Sequence, residues 1–113
     1  MNNLKWESSL VQIQINTDSH IDANPDLRTS VEAAVAGTLG RFGERVTRVE
    51  VHLTDVNAQK GGRDIRCVME ARVAGLQPIM VDELARDVEV AVREAAGKME
   101  RALETRLGKL GRR

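Results

Sequence analysis

Two kinds of apolar repeat share this chain, and the order in which they follow one another leaves few topologies open. Val11-Gln12-Ile13-Gln14-Ile15-Asn16 alternates apolar and polar residues with period two, the pattern of a strand with one buried face. Val49, Val51 and Leu53 alternate with Arg48, Glu50, His52 and Thr54, and Ile65, Cys67, Met69, Ala71 and Val73 alternate with Asp64, Arg66, Val68, Glu70 and Arg72. Gln77-Pro78-Ile79-Met80-Val81 reads as a fourth, shorter strand. Pro78 cannot donate to a ladder, which places this strand at an edge or makes Pro78 its start.

Two stretches repeat with helical spacing instead. Asn24-Pro25-Asp26 combines an N-cap side chain, a proline for the first helical position and an acid facing the positive dipole end. Leu27, Val31, Ala34, Val35, Thr38, Leu39 and Phe42 follow at helical intervals, and Gly43 suits the left-handed position after a helix end. Gly37 and Gly40 fall inside this helix, where each costs about 1 kcal/mol relative to Ala, and close packing against a sheet would account for them. A long helix is predicted from about Asp82 to Leu110, with Leu84, Val88, Ala91, Ala95, Met99, Ala102, Leu103 and Leu107 as its apolar stripe. Asp82 and Glu83 would sit at its N-terminal end and Arg106 and Lys109 near its C-terminal end, both favourable to the macrodipole. Its last turns are expected to project beyond the sheet.

The order is strand, helix, three strands, helix. This is an α+β chain of β-α-β-β-β-α type, with a four-stranded sheet carrying two helices on one face and water on the other. At 113 residues it suits one domain. Residues 1–9 read as a flexible leader, 10–110 as the domain and 111–113 as a basic tail. No internal repeat or low-complexity tract interrupts it. Asp55 to Gly62, with Gly61-Gly62, reads as a mobile hairpin loop.

With one Trp, one Phe and no Tyr, the core must be aliphatic, and a stacking platform for single-stranded nucleic acid lacks its rings. The lone Cys67 cannot form an internal disulfide, and no apolar run approaches the roughly 18 residues of a membrane span. A cytoplasmic protein without membrane contact is expected. Seventeen basic and seventeen acidic residues cancel, but not evenly. Residues 101–113 hold five basic and one acidic residue, a balance of +4, while 76–100 hold three basic and six acidic, a balance of −3. Local fields matter more to a partner than the sum.

Residues that could carry chemistry are few. His20 and His52 have no Cys or carboxylate at metal-ligand spacing and read as solvated surface histidines. The alternation turns Cys67 inward, where a thiol is inert. Gly61-Gly62 beside Lys60 and Arg63 lacks the strand-loop-helix setting of a phosphate loop; it is a hairpin turn that could at most touch a phosphate backbone through Lys60 and Arg63. No nucleophile, base and oxyanion donors can be assembled. The chain reads as a binding protein, not an enzyme, with no cofactor, metal or small-molecule substrate. Two charged surfaces remain. The open sheet face (Gln12, Gln14, Arg48, Glu50, His52, Arg66, Glu70 and Arg72) has the mixed signs of cross-strand pairs. Lys98, Arg101, Arg106, Lys109, Arg112 and Arg113 lie at steps that can follow a phosphate backbone from one helix.

Several segments, in order, resemble the short ribosome-associated inhibitor and hibernation promoting factor family of bacteria. They are Val11–Asn16 with its polar link, Asp26-Leu27-Arg28 with Val31, Arg41-Phe42 followed by Arg45 to Leu53, and Lys98-Met99-Glu100-Arg101 with Arg106. The resemblance runs from Val11 to about Lys109. It implies helices packed on one sheet face, similar to a double-stranded RNA binding domain. It also implies binding to the small ribosomal subunit and ribosomal RNA, modulation or inhibition of translation, and a role in stress. By position it assigns phosphate contact to Arg28, Lys98, Arg101, Arg106 and Lys109. The chain departs from the family pattern in Glu94, Glu100 and Glu104, which interrupt the basic run, and in Gln77-Pro78. With its end at Arg113, it is expected to lack the dimerisation domain of the family's long members. The competing reading is a protein-interaction module that uses the open sheet face or the edge strand Ile79 to Val81, without RNA.

Overall fold

The computed structural model describes residues 12–60 and 64–111, and the order of repeats is the order of elements. They are β1 (Gln12–Thr17), α1 (Pro25–Leu39), β2 (Val46–Asp55), β3 (Ile65–Val73), β4 (Ile79–Ala85) and α2 (Val88–Gly111), with short 3-10 segments at Gly40–Arg45 and Ala58–Lys60. The sheet order is β1-β2-β3-β4. β1 and β2 are parallel, so the chain between them must cross over, and α1 is that crossover. β2, β3 and β4 are antiparallel neighbours. The leader, Val11, Gly61 to Arg63 and Arg112-Arg113 lie outside the described residues.

The inward positions of the strands meet both helices. Val49, Val51, Leu53, Cys67, Met69 and Ala71 are buried against Val31, Val35 and Leu39 of α1 and Ala91, Ala95, Met99 and Leu103 of α2. The core is aliphatic, as the composition requires. Burial pushes the Cys67 thiol up to about 12, so at neutral pH it stays a protonated core side chain. At the end of β1, the Asp18 carboxylate accepts from the N–H of Asp55 at 3.0 Å and of His20 at 2.9 Å. The Asp55 bond is the main reason its pKa lies below the ordinary carboxylate value.

α1 starts where its capping residues predict. Asn24 Oδ1 accepts from Leu27 N at 2.8 Å, with Pro25 in the first turn. It ends at Leu39, so Gly40 caps the helix and does not lie within it. Gly43 takes the left-handed backbone (φ 58°) that lets the chain turn into β2. Gly37 is exposed, and a Cβ there would meet nothing within 4 Å. Close packing therefore does not explain it.

The predicted start of the long helix is corrected by six residues. Asp82 to Ala85 belong to β4, whose Glu83 and Ala85 continue the register opposite Cys67 and Ile65. The long β3 offers backbone partners that a helix would leave unused. The helix cap is Asp87, whose Oδ1 accepts from Val90 N at 2.9 Å, and the acid of the first turn is Glu89. Leu84 thus leaves the helical stripe for the open sheet face. The far end of α2 also differs from expectation: Leu103 and Leu107 are buried, so the helix stays seated on the body through Leu107.

Candidate nucleic-acid interface

α2 buries Ala91, Val92, Ala95, Ala96, Met99, Leu103 and Leu107, which leaves two flanks and an outer face. At 3.6 residues per turn, Lys98 and Arg101 fall on one side of this stripe and Glu100 and Glu104 on the other. The α1-facing flank meets Arg41, from the 3-10 segment before β2. Its guanidinium bonds Glu100 at 3.1 Å and also reaches Glu104, and it lies 4.4 Å from the Phe42 ring centroid. Two of the three acids that interrupt the basic run, Glu100 and Glu104, are therefore partners of a cation the linear reading did not connect to them.

The opposite flank meets β4. Lys98 Nζ donates to the backbone carbonyl of Asp82 at 2.9 Å and pairs with Glu83 at 2.9 Å. Arg28 pairs with Glu32 one turn on in α1, at 3.2 Å. Arg101 and Arg106 are exposed and have no acidic partner among the described residues. The backbone of α2 carries Lys109, but the Lys109 side chain and Arg63 lie outside the described residues.

These cations are not one cluster. Ser30 reaches Glu89 while Arg41 reaches Glu100, so α1 and α2 run alongside in the same direction. Arg28 lies at the end where α2 starts, as does Lys60 in the β2–β3 turn. Arg101 and Arg106 lie at the other end, about 20 and 27 Å along α2 from its start at Val88. That end also gathers two cations the sequence reading had not placed in the site. Arg45 accepts at its carbonyl from Ala74 N at 2.9 Å, which puts it beside the β3 terminus and Arg72. Arg45 and Arg72 are exposed, again without an acidic partner among the described residues. Only the β2–β3 register reveals this neighbourhood, since the two are far apart in the chain.

The open sheet face is bonded within itself. Arg48 binds Glu50 at 2.9 Å and Gln12 at 3.4 Å and also reaches Gln14; Glu50 approaches His52 Nε2 at 3.3 Å; Arg66 pairs with Asp82 at 2.8 Å. The Arg48 hydrogen bond holds the Glu50 carboxyl below its usual range. Arg66–Asp82 and the Arg48 contacts with Gln12 and Gln14 are cross-strand, as its mixed signs predict, whereas Arg48, Glu50 and His52 pair along β2. Beside them lies an open groove of about 350 Å³ lined by Val56, Arg66, Asp82, Glu83 and Leu84, whose two carboxylates pair with Arg66 and Lys98. Among the described residues no three His, Cys, Asp or Glu are grouped to hold a metal, and no helix is long and apolar enough to cross a membrane.

Residues 13–111 match the family described as Sigma 54 modulation protein / S30EA ribosomal protein. Among solved structures, the chain is similar to the N-terminal domain of Protein Y from Thermus thermophilus, with a TM-score of 0.68 and 19% identity over 83% of this chain and 97% of that one. It is also similar to a ribosomal subunit interface protein from Coxiella burnetii, with a TM-score of 0.71 and 15% identity over 86% of this chain and 98% of that one. At these identities the likeness is one of fold. No curated protein matches the chain in sequence.

Proposed function

The chain belongs to the Sigma 54 modulation protein / S30EA ribosomal protein family, and on that premise we propose that it binds the small ribosomal subunit through ribosomal RNA and slows translation there. The observation that carries this reading is the basic end of the molecule. Arg101 and Arg106 of α2 point into solvent with Arg45 and Arg72 at the same end, while the neighbouring acids Glu100 and Glu104 are held by Arg41. Guanidinium groups without an internal partner suit phosphate, and structured RNA is read mainly through backbone and shape. Lys109 extends the same helix. Arg28 and Lys60 offer a second basic point at the opposite end, and Lys98 serves a phosphate only by leaving Asp82 and Glu83. A stress role and a cytoplasmic site of action follow from the family premise.

Co-sedimentation with purified small subunits over a salt series tests the proposal. Binding should fall steeply with salt, with a log–log slope near 0.7 to 0.9 per phosphate contacted. Arg101→Glu with Arg106→Glu should lower affinity at least about ten-fold at physiological salt and relieve any slowing of cell-free translation. Binding that ignores both salt and this double variant would sink it. One observation favours a protein partner instead: Met80 and Leu84 stand exposed on the open face of edge strand β4. A protein contact there would survive high salt and be lost in Met80→Lys with Leu84→Lys.

A further inference from the structure

Among the described residues β4 is an edge strand, and the ladder fixes which of its backbone groups face outward. Val56 N donates to Asp64 O at 2.9 Å, so the even-numbered residues of β3 bond to β2 and the odd-numbered ones to β4. Cys67, Met69 and Ala71 stand opposite Glu83, Val81 and Ile79, which take up those bonds. Met80, Asp82 and Leu84 therefore direct their N–H and C=O groups to the free edge. The Asp82 carbonyl, at the centre of the strand, has a partner: the Lys98 ammonium, which comes round from α2, donates to it at 2.9 Å and is braced by Glu83 at 2.9 Å.

That carbonyl is the two-fold centre of the pairing this edge would make with itself. An antiparallel ladder between two copies centred on Asp82 exchanges Asp82 N–H and C=O between them. It also sets Met80 opposite Leu84 of the second copy, and the reverse. These side chains are 62% and 56% exposed on the same sheet face, so their meeting lays an apolar strip across the joint. The two Asp82 carboxylates brought together there are each already paired with their own Arg66, at 2.8 Å. The side chains of the edge thus suit a second copy, and the obstacle is the ammonium seated on the central acceptor. A lysine guarding an edge is a recognised way of preventing such pairing.

We propose that Lys98 is a latch that holds the β4 edge closed to a second copy of this chain, and that removing its ammonium opens β4 to antiparallel pairing about Asp82. The latch concerns Lys98 seated on Asp82, and its test reads the association of this chain alone, so its outcome is independent of whether Lys98 also meets ribosomal phosphate. Sedimentation equilibrium of the full chain tests it, with circular dichroism as the check on folding. Wild type should be monomeric. Lys98→Met should form dimers at a concentration at least about ten-fold lower than wild type. Lys98→Arg, which keeps a cationic donor, should stay monomeric. Adding Asp82→Pro to Lys98→Met removes the outward N–H without touching the bonds to β3, and should restore the monomer. If Lys98→Met unfolds, Glu83→Gln, which unbraces the lysine, should give a smaller shift in the same direction. The latch is overturned if the folded Lys98→Met, or Glu83→Gln in its place, associates no more than wild type. Equal dimerisation of the double variant or of Lys98→Arg overturns it too, as does a wild type already dimeric through β4.

Discussion

The two flanks of α2 cross to their neighbours with charge, but what they reach differs. On the α1 side Arg41 gathers Glu100 and Glu104, three side chains that are each between 33% and 52% exposed. On the β4 side Lys98 reaches a backbone carbonyl that the sheet leaves unpaired. Exposed ion pairs compete with water and salt and contribute little to stability. A cation on an edge carbonyl completes a group whose position the fold dictates, and so governs what the edge can do. The first flank therefore shapes the field at the basic end, and the second shapes the boundary of the sheet.

Both flanks depend on α2 being seated, so the change that breaks the comparison outright lies between them. Leu103→Ala, at a fully buried position, should cost about 2–5 kcal/mol in urea unfolding, by lost transfer energy and the cavity left behind. Lys98→Met should cost less, about 1 kcal/mol, because the bond to Asp82 is charge-assisted yet the carbonyl regains water when it is lost. A Lys98→Met loss equal to that of Leu103→Ala would mean that the lysine supports packing and not merely the edge.

The same contrast separates what could be read in the chain from what could not. Period-two segments and the Asn24-Pro25 cap gave the element order because each is a local pattern with a local cause. Residues Asp82 to Ala85 did not yield, because Leu84 fits a helical stripe with Val88 as well as an alternating strand. Its assignment comes from the ladder with β3. Glu100 and Glu104 of α2 read as a break in a basic surface, since their partner Arg41 lies some 60 residues earlier and meets them only through helix packing. Arg45 and Arg72 stayed out of the candidate site for the same reason. Lys98 read as one more cation in a row, while its edge position is a property of the sheet.

The smallest expected effect sharpens the comparison most. Arg41→Met removes two exposed ion pairs and a cation placed over Phe42, and its cost to stability should be at most about 1 kcal/mol, shrinking as salt screens the pairs. Its effect on ribosome association should be larger in proportion, because Glu100 and Glu104 are left uncompensated beside Arg101. Affinity should fall about three- to ten-fold, and Glu100→Gln with Glu104→Gln in the same background should restore it. The two readouts must separate: if affinity is untouched while the carboxylates stand free, the basic end of α2 is not where RNA is met. A stability loss that resists salt would instead place Arg41 with Lys98, among the charges that hold the backbone in place.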